Sequence, residues 1–123
     1  MREDLLNRAR QAAQSARTLL SSGDPNGAVN RAYYAMFYAA HAALEHRGVE
    51  IASSKHGTLV RRFGEHLVKT GVLPRALGTS LNATLELRQK ADYGGGEVAR
   101  ADAERSLSEA EGFVAALERL TRS

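Results

Sequence analysis

The 123-residue sequence contains no cysteine, no tryptophan and only two prolines. Without cysteine the chain has no disulfide framework, no thiolate metal site and no cysteine nucleophile. Its 43% hydrophobic and 25% charged residues are typical of a globular fold and exclude a disordered chain. The length predicts a single domain over residues 1–123, which can bury one core without covalent staples.

Long apolar runs are also absent. The longest, residues 32–40, is well below the ~20 residues that a membrane-spanning helix needs. The charged segment 1–8 lacks the apolar core of a signal peptide. We therefore expect a cytoplasmic protein with no membrane partner.

Apolar residues recur at spacings of three and four along nearly the whole chain, which is typical of amphipathic helices. Gly23 suits the left-handed position after a first helix, and Asp24 and Pro25 suit the N-cap and first position of a second. Short connections, such as 49–54 with Ser53 and Ser54 as candidate caps, join the helices. The sequence predicts an all-α fold, an antiparallel up-and-down bundle of about five helices with no strand. We place these helices at about residues 2–21, 25–47, 55–70, 74–92 and 101–120.

The second predicted helix is rich in alanine and aromatic residues. Four of the seven aromatic residues of the chain lie between positions 33 and 38. A helix that is apolar around most of its circumference is packed on several sides, so this helix is predicted to be central.

The net charge of +3 is unevenly distributed. Residues 55–90 carry +5 and residues 91–123 carry −3. A basic band on the third and fourth helices is either a solvated surface or a surface that gathers phosphates. The candidate nucleotide- or RNA-binding residues are Arg31, Tyr34, His41, Lys55, Arg61, Arg62 and Lys90.

Arg88 is the single residue whose position in the sequence most clearly calls for an explanation. At about 100° per residue, its side chain falls between those of Leu77 and Leu81, on the apolar stripe of the fourth helix. A guanidinium there is costly unless it is paired or faces an interface or cleft. Asp92 lies four residues on, within ion-pair reach. The pattern leaves two interpretations open: a structural Arg88–Asp92 pair, or an arginine that faces a phosphate or a partner.

The four histidines do not form a metal-ligand pattern, and neither a metal nor another cofactor is expected. His41 is either an ordinary buried histidine or an acid–base group near a cleft, and His56 is expected to cap a helix or lie at the surface. The glycine run 94–96 lacks the lysine and the preceding strand of a phosphate-binding loop, so it predicts a helix stop.

Five segments together suggest a family. The sequence resembles the HEPN domain (higher eukaryotes and prokaryotes nucleotide-binding), in its small stand-alone prokaryotic branch, over about residues 5–120. The segments are Asn-Arg-Ala-Tyr-Tyr-Ala-Met-Phe-Tyr-Ala-Ala at 30–40, Lys-His-Gly at 55–57, Phe-Gly at 63–64, Lys-Thr-Gly at 69–71 and Leu-Arg-Gln-Lys-Ala-Asp-Tyr-Gly at 87–94.

The resemblance implies a helical homodimer, often paired with a small nucleotidyltransferase in toxin–antitoxin modules. Many members are metal-independent RNases in which an arginine stabilises the phosphorane and a histidine, separated from it by four to six residues, transfers protons. Arg88 matches the arginine, but no histidine follows at that spacing, and the nearby side chains are those of Asp92 and Tyr93. The three are the candidate catalytic residues, and His41 or His56 would have to supply an imidazole from another helix. In related systems such a tyrosine is nucleotidylated, which makes Tyr93 a candidate for modification.

Three functions remain open from the sequence. The first is a dimeric nucleotide- or RNA-associated module with a nucleotidyltransferase partner in a toxin–antitoxin or defence system. The second is an active RNase that uses Arg88 at a dimer cleft. The third is a purely structural helical interaction domain.

Overall fold

The computed structural model describes residues 2–51, 56–93 and 96–122, and within these ranges it contains helices and no strand. The all-α bundle predicted from the periodicity is confirmed, and most helix boundaries fall within two residues of those predicted. The helices are α1 (Arg2–Ser21), α2 (Pro25–His46), α3 (His56–Phe63), which continues into a π-helical turn (Gly64–Val68), α4 (Arg75–Tyr93) and α5 (Arg100–Arg122).

The turn between α1 and α2 forms as the sequence predicts. Gly23 has a φ of +89°, a left-handed conformation that other residues adopt only with strain. The carboxylate of Asp24 accepts a hydrogen bond from the Gly27 amide at 2.9 Å, and Pro25 begins α2. The cap satisfies one of the amides that a helix start leaves without a partner.

The third predicted helix, 55–70, is wrong as one continuous α-helix. The α-helix ends at Phe63, and the amide of Lys69 bonds the carbonyl of Gly64, five residues back, at 2.8 Å. This wider turn still buries both Phe63 and Leu67. The apolar pattern is therefore the same for either geometry, and it could not reveal the change. Lys55, Ser53 and Ser54 lie outside the described residues.

Helix α2 is central, as predicted, and packs against α1, α5, α4 and α3. Most of its buried side chains are small, which lets the neighbouring backbones approach closely. The fully buried alanines of α2 are Ala28, Ala32, Ala35, Ala39, Ala40, Ala42 and Ala43. Larger side chains, including Tyr33 and Met36, occupy the remaining buried positions of α2.

Helix α4 is more loosely held. Its buried residues are Leu81, Thr84 and Leu85, all of which precede Arg88. The last two turns of α4 therefore lie against the bundle without a fully buried anchor. Within the described ranges, every helix falls short of the length and apolar character needed to traverse a lipid bilayer.

Candidate functional site

A cluster of two arginines, three aromatic rings and a histidine lies where α2, α3 and α4 meet. We call it the Arg88 cluster. Its members are Arg31, Tyr33, Tyr34 and Phe37 of α2, His56 of α3, and Arg88 of α4, with Asp92 as the ion-pair partner of Arg88.

Arg88 points into the bundle, as its position on the apolar stripe predicts. Only 11% of its side chain is accessible. Its guanidinium carbon lies 5.3 Å from the ring centre of Tyr33 and 5.2 Å from that of Tyr34. Its Nε donates to Asp92 Oδ2 at 3.1 Å, the ion pair expected from the spacing of four residues. Ring faces and a carboxylate thus compensate the desolvation of this cation.

The aromatic rings follow one face of α2. Tyr33 is fully buried, while Tyr34 and Phe37 are half-buried. The Tyr33 and Tyr34 rings meet edge to face, with centres 5.6 Å apart, and Tyr38 extends the row beside Tyr34. We call the rings of Tyr33, Tyr34, Phe37 and Tyr38 the aromatic floor, because guanidinium groups lie over them.

His56 completes the cluster and corrects the expectation that it caps a helix or lies at the surface. Its ring is half-buried against Phe37, with centres 4.8 Å apart, and against both tyrosines. Its Nδ1 lies 2.9 Å from the hydroxyl oxygen of Tyr33. The imidazole that is missing after Arg88 in the sequence is therefore present beside the same rings, supplied by α3.

The protonation states of this pair follow from burial. Burial raises the pKa of Tyr33, although the Arg88 charge opposes this, so the hydroxyl stays protonated. Burial and the Arg88 charge both lower the pKa of His56 from its usual 6.5. The His56 imidazole is therefore held in its neutral form, which has a free ring nitrogen for a proton, while the Arg88 charge makes it a weaker base.

Arg31 brings a second positive charge to the same ring. Its guanidinium carbon lies 4.9 Å from the ring centre of Tyr34, and its Nε is buried without a hydrogen-bond partner. Two guanidinium groups therefore face Tyr34, whereas Asp92 supplies one carboxylate. The cluster carries an excess positive charge that an anion would satisfy.

The other predicted site residues lie elsewhere. His41 touches the edge of the row, since its ring is 6.4 Å from Phe37, but its Nε2 pairs with Glu45 at 3.4 Å. Tyr93 is 79% exposed at the end of α4. The remaining basic candidates take no part in the ring contacts recorded within the described ranges: Arg61 and Lys90 are exposed, and Arg62 is half-buried.

Two members, Tyr33 and Phe37, escaped the sequence analysis as site residues. Tyr33 and Phe37 are spaced by four on α2, a signal that they share a face, but the same spacing is typical of core residues. The sequence named His56 only as one of two possible sources of an imidazole and could not place it on these rings, because its position depends on how α3 packs against α2. Across residues 2–51, 56–93 and 96–122, no three His, Asp or Glu side chains converge as metal ligands would.

The fold and the site define a small helical domain with a sheltered arginine on an aromatic floor. A family model described as the HEPN domain matches residues 2–120. A UPF0332 protein of Thermotoga maritima is 37% identical over 116 residues, which cover 92% of this chain and 85% of the relative. The chain therefore belongs to the HEPN domain family, as the sequence resemblance predicted.

Two further relatives extend the comparison. A UPF0332 protein of Gloeobacter violaceus is 39% identical over 93 residues, which cover 76% of this chain and 72% of the relative. A protein of Methanocaldococcus jannaschii named "Putative toxin MJ0605" is 32% identical over 110 residues, covering 89% of this chain and 81% of the relative.

The electrostatic effect of Arg88 on His56 gives a first prediction. Replacing Arg88 with glutamine removes a charge that disfavours the imidazolium, so the pKa of His56 rises toward 6.5. An NMR titration of the histidine ring protons measures it. Lys90→Gln, which removes a charge from an exposed position two residues away, serves as the control. A His56 pKa that stays the same in Arg88→Gln contradicts the assignment.

The effect of Arg88 on the His56 pKa also makes the stability of the fold depend on pH. The folded state binds the His56 proton less tightly than the unfolded chain does. The free energy of unfolding therefore falls as pH drops below about 6.5, until the folded protein also takes up the proton. In Arg88→Gln the pKa of His56 lies closer to its value in the unfolded chain, so His56 contributes less to this loss of unfolding free energy at low pH.

Proposed function

We propose that this chain is a toxin-type HEPN module that binds RNA phosphates at the Arg88 cluster. One observation carries the proposal: Arg31 and Arg88 both face the Tyr34 ring, and the one carboxylate among the members of the cluster, that of Asp92, pairs with Arg88. A phosphate diester supplies the missing negative charge. Guanidinium groups bind phosphate through paired hydrogen bonds, which a partly sheltered site strengthens.

The aromatic floor supports RNA as the ligand. Tyr34, Phe37 and Tyr38 are half-buried rings in contact with one another. Rings beside a phosphate site are the usual platform on which single-stranded bases stack. The toxin name of one archaeal relative is also consistent with action on RNA, since the resemblance to HEPN toxins implies an RNA target.

Binding to a labelled single-stranded oligouridine, followed by fluorescence anisotropy, tests this proposal. Arg88→Gln and Arg31→Gln each weaken binding by about tenfold, because each removes a charge-assisted contact to phosphate. Arg61→Gln, which removes an exposed charge of the basic band, has little effect.

Two results would contradict the proposal. One is equal weakening by Arg61→Gln and Arg88→Gln, which would assign binding to the general basic surface. The other is native affinity in Arg31→Gln and Arg88→Gln, with both variants folded by circular dichroism.

A second function, RNA cleavage, is favoured by the position of His56. In such a step the ribose 2′-oxygen attacks the adjacent phosphorus and the bond to the 5′-oxygen breaks, leaving a 2′,3′-cyclic phosphate and a 5′-hydroxyl. Neutral His56 takes the 2′-hydroxyl proton, solvent water protonates the 5′-oxygen as it leaves, and His56 then returns its proton to solvent. Arg88 stabilises the charge on the phosphorane. The mechanism uses the tautomer in which Nδ1–H of His56 donates to the Tyr33 hydroxyl oxygen, which fixes the ring and leaves Nε2 as the proton acceptor.

Cleavage of the same oligonucleotide in the presence of EDTA tests this step. Arg88→Gln and His56→Asn lower the rate at least 100-fold, the usual contribution of one acid–base or charge-stabilising group. His41→Asn, which removes the alternative imidazole, retains the native rate. Intact RNA after incubation with the native protein, or full activity in His56→Asn, would exclude the mechanism.

The assembly expected from the resemblance is part of the proposal. We propose a homodimer that works with a small nucleotidyltransferase, for which exposed Tyr93 is an accessible target. Light scattering gives the dimer mass, and affinity capture from native cells recovers the nucleotidyltransferase. Mass spectrometry after incubation with that partner and ATP reports on Tyr93. A strict monomer counts against the dimer, and an unmodified Tyr93 removes the modification.

A further inference from the structure

Asn26, at the start of α2, bonds to the end of α4 and to the segment that follows it. Its Nδ2 is 3.4 Å from the carbonyl oxygen of Ala91 and 3.3 Å from that of Gly96. Its Oδ1 accepts a hydrogen bond from the amide of Val98 at 2.8 Å. One side chain thus joins three backbone positions that lie 65 to 72 residues away in sequence.

The bond to Ala91 connects the same two helices that form most of the Arg88 cluster, and the bonds to Gly96 and Val98 tie the segment after α4 to α2. Asn26 precedes Tyr33 by seven residues and Phe37 by eleven, which places all three on one face of α2. Ala91 follows Arg88 by three residues, less than one turn of α4. Asn26 therefore holds α4 within one turn of the position from which the Arg88 side chain projects.

Packing alone constrains this end of α4 weakly. Leu85 is the last buried residue of the helix, and Arg88, Ala91 and Tyr93 are half-buried or exposed. Ala91 also lies in the last turn, where helix carbonyls lack intrahelical partners. The side-chain amide of Asn26 donates to the Ala91 carbonyl oxygen and so fixes the distance between α2 and α4.

We infer that Asn26 is a positioning residue of the Arg88 cluster, which sets the register between α2 and α4 and so holds the Arg88 guanidinium over Tyr33 and Tyr34. This role in ligand binding rests on the proposed RNA-phosphate function. The geometric part, the placement of Arg88 beside the rings and His56, does not.

Asn26→Asp is the sharpest test because the two side chains have nearly the same shape. A carboxylate keeps the bond from the Val98 amide, but it cannot donate to Ala91 and Gly96 and it repels their carbonyl oxygens. A negative charge in the first turn of α2 is itself favourable, so α2 remains formed. Asn26→Ala removes all three bonds without adding charge.

Asn82→Asp is the matched control. Asn82 lies on α4, is exposed, and its Nδ2 is 3.4 Å from the carbonyl oxygen of Gly78 within the same helix. It therefore introduces the same charge into α4 without touching the contact between α2 and α4. Circular dichroism and thermal melting identify the temperature at which every variant is folded, and all measurements are made there.

Two measurements on the folded variants decide the inference. The first is the pKa of His56 by NMR, which rises in both Asn26→Asp and Asn26→Ala as Arg88 moves away, and stays native in Asn82→Asp. A purely structural role that lowers only the melting temperature does not move it. The second is the affinity for labelled oligouridine, which falls about tenfold in both Asn26 variants, as when Arg88 itself is lost.

Each result has a defined meaning. A native His56 pKa in Asn26→Ala overturns the inference, and so does a rise in Asn26→Asp alone, which would be an effect of the added charge. If Asn26→Asp does not fold, Asn26→Ala decides alone. If the native protein fails to bind the oligonucleotide, the proposed function falls, while the His56 pKa still confirms or overturns the positioning role.

Discussion

The structure depends on how a sheltered guanidinium is accommodated in a helical bundle. Arg88 retains 11% of its side-chain accessibility, and it loses most of its hydration without reaching the fully dry core. Such a cation destabilises a fold unless its charge is compensated. Here the compensation comes from three sources: the Tyr33 ring, the Tyr34 ring and the Asp92 carboxylate. The aromatic face of α2 and the final turns of α4 are both needed for it.

The division of α2 into two kinds of surface makes this accommodation feasible. Its many buried alanines allow α1 and α5 to pack closely, and those contacts hold the helix in place. The bulky residues Tyr33, Tyr34 and Phe37 are then free to serve α3 and α4. Because the contacts with α1 and α5 fix α2, its contacts with α3 and α4 can include polar groups at little cost to the packing of the core. Asn26 belongs to that second set, at the end where α4 is least buried.

Sequence reasoning reached the fold and half of the site. Helical periodicity located five helices, since a spacing of three and four determines which residues can be buried together. The same periodicity placed Arg88 on an apolar stripe and Asp92 within reach of it, because both statements concern residues on one helix. His56 and Asn26 meet α2 or α4 from elsewhere in the chain, and no local pattern encodes such contacts. Neither did the apolar pattern distinguish the π-helical turn at Gly64–Val68, since it buries the same residues.

The charge distribution shows why a count of basic residues locates a site poorly. The band at residues 55–90 carries +5, yet Arg61, Lys69 and Lys90 are exposed to solvent, where water and salt screen them. Arg31 and Arg88 are only two charges, but they share one half-buried ring, and the attraction between charges grows as the surroundings become less polar. A single uncompensated charge in the Arg88 cluster therefore attracts a phosphate more strongly than a solvated arginine does. This local shelter, rather than the net charge of the helices, is the reason we propose the Arg88 cluster as the site for an anionic ligand.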